Sequence, residues 1–337
     1  MLARRTKLHF PNGVSIMTPI LIPSFSSKGW KFKEGSNGDK ISEIKEVVEW
    51  SAEFLANAVL FSAYDLHYNH YPGPKDLGEI TDITFIDSGG YEKSEDHDLS
   101  SVYRMPWSSR EWSVLLLKKV INGLPKAHNI VIVNYDDINK PRLLKEQIKT
   151  AKEFFAEFPQ FLHDFLIRTE TKSQNFIQLK SILDNISLLG NLHIIALTEK
   201  ELGNSLLERM VKIAKIRIAL DEEGINSAIH IFGSLDPITS CLYFISGAEI
   251  FDGLTWLRYA YKDGVAVYNE NYRFLERGLT EKTQSAVKFI FYDNLQIISE
   301  LNDEMVSFSY DGDFNHFSHH KEKFEKAFKR LQANIGR

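Results

Sequence analysis

The sequence predicts a (β/α)8 TIM barrel, an α/β fold, preceded by an N-terminal hairpin and followed by C-terminal helices. Eight short β-rich runs recur between residues 19 and 253, and the stretches between them carry apolar residues spaced three and four apart. This alternation is the pattern of parallel strands joined by helical crossovers. A length of 337 residues suits a barrel of about 250 residues with additions, so a single domain over 1–337 is expected, its C-terminal helical part at about 281–337.

Taken in order, Leu8–Met17 carries Pro11-Asn12-Gly13 between two short apolar stretches, the signal of a tight hairpin that could close the bottom of a barrel. The candidate strands are Ile20–Phe25, Ala58–Tyr64, Thr84–Asp87, Ile130–Tyr135, Phe165–Thr169, Leu192–Thr198, Ala228–Phe232 and Glu249–Asp252. Helical spacing marks Ile41–Ala56, Ser109–Ile121, Arg142–Phe158, Gln174–Leu183, Glu201–Ala219 and Pro237–Ser246. Tyr68–Ile80, with Pro72-Gly73-Pro74, and Glu92–Pro106 read as long loops on the catalytic face, either of which suits a lid or a substrate-binding insertion. Beyond Asp252, Phe289–Met305 and Lys321–Ala333 are helical stretches with no following strand, expected to pack around the barrel.

Composition excludes several classes. With 43% hydrophobic and 25% charged residues the chain can bury a full core, which argues against disorder. Apolar runs such as Ile130–Val133 and Leu192–Leu197 fall far short of the roughly 20 residues of a membrane span, and no signal-peptide pattern opens the chain, so a cytoplasmic location without membrane attachment is expected. Cys241 is the one cysteine, which rules out an internal disulfide and a multi-cysteine zinc site. A net charge of −5 supplies no global pull toward nucleic acid; binding one would need a local basic surface, for which Arg4, Arg5 and Lys7, or Lys321–Arg330, are candidates.

Active sites of such barrels lie at the C-terminal ends of the strands. Asp87 ends a predicted strand and is followed by Ser88-Gly89-Gly90-Tyr91, where two glycines permit close approach of backbone and ligand. Asp252, in Ile250-Phe251-Asp252-Gly253, and Asp136, after Ile130–Tyr135, occupy equivalent places on two further strands. Each alone is equally a turn or helix-capping carboxylate. Three carboxylates at three strand ends of one barrel are expected to converge on a single pocket, which capping alone explains less well. Two carboxylates across a sugar are the minimum equipment for breaking an N- or O-glycosidic bond, one as nucleophile and one as proton carrier.

Several motifs carry a resemblance. Phe10-Pro11-Asn12-Gly13 through Thr18-Pro19-Ile20-Leu21-Ile22-Pro23, Asp87-Ser88-Gly89-Gly90-Tyr91, and His230-Ile231-Phe232-Gly233 followed by Asp236-Pro237 and Gly247-Ala248-Glu249-Ile250-Phe251-Asp252 are similar, in order and spacing, to the motifs of the tRNA-guanine transglycosylase superfamily. Tyr292-Asp293-Asn294-Leu295, with Phe314 and Phe317, resembles that family's His-Asn-Leu helix and Phe-x-x-Phe tail. The resemblance implies that Asp252 attacks C1′ of a guanosine nucleotide and expels guanine. It also implies that Asp87 moves the proton and that a 7-deazaguanine base then replaces the guanine. It further implies that Asp136 reads the base edge, Tyr91 and Phe232 sandwich the heterocycle, Ser88, Gly90 and Gly233 complete the base site, and Arg258 contacts the polynucleotide backbone.

The departures from the family are specific. Glu92 stands where the signature has Gln, Ala196-Leu197-Thr198-Glu199-Lys200-Glu201-Leu202-Gly203 replaces a Gln-Gly-Gly, and the zinc-binding cysteines are missing, with Asp293 at the position of the ligand His. Glu199 is a candidate acceptor in place of that Gln. His316, His319 and His320 form a tract without suitable companion ligands, so no metal and no cofactor is expected. Without zinc, the chain is most like the branch proposed to insert 7-deazaguanine into DNA. The partners implied are therefore DNA, or alternatively tRNA, and a free 7-deazaguanine base. A nucleoside or glycoside hydrolase, and a non-catalytic nucleic-acid-binding subunit of the same fold, remain as other readings, and partner proteins and oligomeric state stay open.

Overall fold

Eight parallel strands close on themselves in the computed structural model, which describes the chain except for residues 35–39, 56, 72–79, 96–98, 101–106, 138–139, 277, 279–282 and 337. In chain order the strands are β1 (Lys7–His9), β2 (Ser15–Met17), β3 (Ile20–Phe25), β4 (Phe32–Glu34), β5 (Lys40–Ser42), β6 (Ala58–Ser62), β7 (Ile83–Asp87), β8 (Ile130–Val133), β9 (Leu162–Ile167), β10 (Ile194–Thr198), β11 (Ala228–Phe232), β12 (Ile250–Gly253), β13 (Ala260–Lys262) and β14 (Val265–Val267). The barrel runs β3-β6-β7-β8-β9-β10-β11-β12 and closes by pairing β12 with β3, Asp252 opposite Ile22. Each of the eight predicted barrel strands is present. The pairs β1–β2, β4–β5 and β13–β14 are antiparallel hairpins outside the barrel.

Period-two alternation decides which residues face the axis. Ile20, Ile22, Ala58, Leu60, Ile83, Phe85, Val131, Leu162, Ile194, Ala228 and Ile250 fill the barrel together with Leu8 and Phe10, so the hairpin does close its lower end. Val133, Leu166, Ala196 and Phe232 form the apolar layer above. The opposite parity, including Leu21, Val59, Ile86, Ile132, Phe165 and Ile231, packs outward on the helices. Continuing the inward parity one step up each strand gives Ser24, Ser62, Asp87 and Asp252, so a mostly polar ring replaces the apolar layers at the C-terminal rim.

Caps set several helix starts. Ser113 accepts from Leu116 N at 3.4 Å, Ser205 from Glu208 N at 3.1 Å, and Asp236 from Ile238 N at 2.9 Å and Thr239 N at 3.1 Å, with Pro237 in the first turn. The predicted strand Ala58–Tyr64 is shorter in the structure. Pairing ends at Ser62, and Ala63–His67 turns into a helix whose Asp65 is buried among the Ser27, His70 and Tyr71 donors. The two C-terminal helices span Thr283–Asp311 and Lys321–Ile335. From the first of these, Asn294 donates to Trp256 O and Tyr259 O, each at 2.7 Å, and accepts from Tyr261 N at 2.6 Å. That helix therefore braces the segment that follows Asp252. Most of the two predicted rim loops lies outside the described residues. No described helix is long and apolar enough to cross a membrane.

Candidate functional site

A pocket opens at the C-terminal rim, and the structure brings the predicted residues Asp87, Ser88, Gly90, Tyr91, Asp136, Phe232, Gly233 and Asp252 into its wall. Asp252 and Asp87 are the inward residues at the ends of β12 and β7, two barrel strands separated by β3 and β6. Asp136 follows the end of β8. Convergence thus comes from barrel closure, because the three residues are far apart in the chain.

Asp252 is held on both oxygens. Ser24 Oγ donates to Oδ2 at 2.8 Å, Gly233 N donates to Oδ1 at 3.1 Å, and His230 Nε2 lies 3.3 Å from Oδ1. Gly233 reaches this carboxylate through a left-handed turn at φ +80°, which favours glycine. Oδ1 accepts from Gly233 N and faces His230 Nε2, whereas Oδ2 keeps a lone pair beyond the one Ser24 uses.

Asp87 is buried, and Gly89 N donates to its Oδ2 at 3.1 Å. Burial first, then the nearby charge of Asp136, and then that of Asp252 raise its carboxyl from 3.8 to about 7, against the pull of the Gly89 amide. Its turn is built tightly: Gly89 sits at φ +81°, and a Cβ there would meet Trp112 Nε1 at 2.7 Å. Asp87 does cap its own turn, as an isolated Asp-Ser-Gly-Gly would, yet its position beside two other carboxylates gives it a proton-transfer range near neutrality.

Asp136 accepts from Ser88 Oγ at 3.1 Å, and its Oδ2 lies 3.5 Å from Arg168 Nε. Tyr91 and Phe232 both contribute aromatic surface to the pocket. Arg258 donates to Tyr91 Oη at 3.1 Å and to Ser100 Oγ at 2.5 Å. Its position is therefore at the rim beside Tyr91. Glu199 lines the pocket, accepts from Tyr243 Oη at 2.8 Å and lies 3.4 Å from Arg209.

Several residues were not legible as site residues. Glu92 is buried in the pocket wall, accepting from Ser26 and from Ser62 Oγ at 2.6 Å; burial, then the charges of Asp65 and Asp87, raise it to about 8. Arg168, 3.1 Å from Glu201, is the cation nearest Asp136. Lys28 donates to Tyr91 O at 2.8 Å and Ser94 O at 2.7 Å, with its ammonium 4.3 Å from the Tyr91 ring centre. The signal for Arg168 was its place just after β9, a strand end like those that flagged the carboxylates.

The basic candidates fall elsewhere. Arg4 pairs with Asp221 at 2.7 Å, Arg5 donates to Tyr310, and Lys7 lies in the hairpin at the opposite end of the barrel. Among the described residues, the cations at the pocket are Arg168 and Lys200, with Arg258 and Lys28 around Tyr91. His316 pairs with Asp311 at 2.9 Å, and among the described residues no group of three or more His, Cys, Asp or Glu side chains is placed to hold a metal ion.

The chain is thus a (β/α)8 barrel with an acid-lined, aromatic-walled pocket at its C-terminal rim. No family model matches it, and a search of curated proteins finds no match.

Proposed function

We propose that this protein is a pentosyltransferase of the guanine transglycosylase type, exchanging guanine in a polynucleotide, DNA in preference to tRNA, for a 7-deazaguanine base. The observation that carries the reading is the pairing of a doubly held Asp252 with an Asp87 raised to about 7 in one pocket lined by Tyr91 and Phe232. Oδ2 of Asp252 forms a bond to C1′ as the C1′–N9 bond breaks, and the electron pair leaves with guanine, which takes a proton from Asp87. The incoming base loses its proton to Asp87 and attacks C1′, and the ester pair returns to Asp252. Tyr91 and Phe232 stack the extruded base, and Asp136 accepts from its N–H edge.

The test is incubation of the full chain with guanine-containing DNA, or tRNA, and labelled guanine, followed by denaturing electrophoresis. The wild type forms a covalent adduct and incorporates label; Asp252→Asn does neither. Equal exchange by Asp252→Asn sinks the mechanism. Release of guanine without incorporation makes the protein a hydrolase.

A further inference from the structure

The barrel interior holds one feature that the exchange chemistry above does not use. His230 and Asp164 lie at inward positions of β11 and β9, among the inward positions that other barrel strands fill with Leu60, Phe85 and Ala196, and both are fully buried. Nδ1 of His230 donates to Asp164 Oδ2 at 2.7 Å, and Nε2, which has no hydrogen-bond partner among the described residues, lies within ion-pair distance of Asp252 Oδ1 at 3.3 Å. Its other close neighbours are apolar rings: Phe232 with its centroid at 4.2 Å and Phe85 at 5.7 Å. Asp164 Oδ1 has no hydrogen-bond partner among the described residues. Among the described residues, the only charged groups facing the imidazole are therefore the two carboxylates.

A neutral imidazole has one N–H and one lone pair, so between two carboxylates it would turn that lone pair toward one of them. A doubly protonated ring turns an N–H toward each. Burying a single carboxylate costs several kcal/mol unless it is paired, and here one cation serves two.

We propose that His230 is a positioning residue, an imidazolium clamped between Asp164 and Asp252 that occupies Oδ1 and leaves Oδ2 of Asp252 as the attacking atom. The proposal rests on the transglycosylase reading of the site. It adds an asymmetry between the two half-reactions. A cation beside Asp252 stabilises the free carboxylate. That stabilisation is lost as the ester forms and regained as the ester breaks, so the imidazolium holds back attack and accelerates breakdown of the glycosyl-enzyme. Burial alone would lower the imidazole, but Asp164 first and then Asp252 raise it to about 9, in keeping with this placement.

The residue acts through Asp252 and touches no substrate, so the test needs a readout that loss of packing would not move. Rapid-quench measurements on full-length wild type, Asp164→Asn and His230→Gln, with guanine-containing DNA and labelled guanine, separate adduct formation from label incorporation. The expected result is a loss of about 100-fold in ester breakdown, the size of removing one preorganised donor, with adduct formation unchanged or faster, so the adduct accumulates. An equal slowing of both steps in both variants overturns the proposal. Nitrogen NMR of the free protein supplies the second arm: both His230 nitrogens are protonated at pH 7.5 in the wild type, and one loses its proton in Asp164→Asn. A neutral His230 in a wild type that still forms the adduct refutes the clamp alone. An imidazolium in a wild type that forms no adduct with DNA or tRNA supports the clamp and refutes the transglycosylase reading.

Discussion

Replacing Asp87 with Asn is expected to stabilise the protein in a pH-dependent way while removing its chemistry. Asp87 is 9% exposed, and burial with the neighbouring Asp136 and Asp252 raises its carboxyl from 3.8 to about 7. Between those two values the folded protein holds a proton that the unfolded chain has released, so stability falls as pH rises, by about 1.4 kcal/mol per pH unit. Below pH 4 both states are protonated and the penalty vanishes; above pH 7 it is complete, at about 4 kcal/mol. Asn keeps an oxygen able to accept from Gly89 N, which lies 3.1 Å from Asp87 Oδ2, and carries no charge. Asp87→Asn should therefore match the wild type at pH 4 and exceed it at pH 8 by about 2 to 4 kcal/mol, some relaxation of the site reducing the full value. For 337 residues this raises Tm by roughly 3 to 6 °C. Thermal melts of both proteins at pH 4, 6 and 8 measure it. A Tm difference independent of pH, or a variant less stable than the wild type at pH 8, would show that Asp87 is not held protonated by its surroundings.

Two further outcomes follow from the same geometry. Single-turnover guanine release, which needs Asp87 as an acid, should be level below about pH 7 and fall tenfold per pH unit above it; a flat profile to pH 9 removes Asp87 from proton transfer. A Cβ on Gly90 would stand 2.8 Å from Asp136 Oδ1, so Gly90→Ala should displace that carboxylate and raise KM for the incoming base about tenfold, about 1.4 kcal/mol, with kcat nearly unchanged; a KM equal to wild type shows that Asp136 does not read the base.

The sequence by itself determined the barrel and the place of its eight strands along the chain. Strand runs such as Thr84–Asp87 and Glu249–Asp252, observed as Ile83–Asp87 and Ile250–Gly253, are local facts of composition and period, and once the strands are placed a two-residue period dictates which side chains point inward. Asp87, Asp136 and Asp252 were legible for the same reason: each follows an apolar run, and the C-terminal ends of barrel strands share one rim. The rim hairpins β4–β5 and β13–β14 were not legible, since three-residue strands carry too little pattern to register.

Tertiary structure alone decided what surrounds each carboxylate. Asp164 and His230 stand 66 residues apart, and Ser24 and Asp252 stand 228 apart. Nothing in a one-dimensional pattern tells a buried polar residue which partner the curvature of a closed barrel will bring to it. The proton affinity of Asp87 and the orientation of Asp252 depend on those partners through burial and short-range charge. Both are set by three-dimensional proximity, and only closure of β12 onto β3 brings Ser24 to the nucleophile.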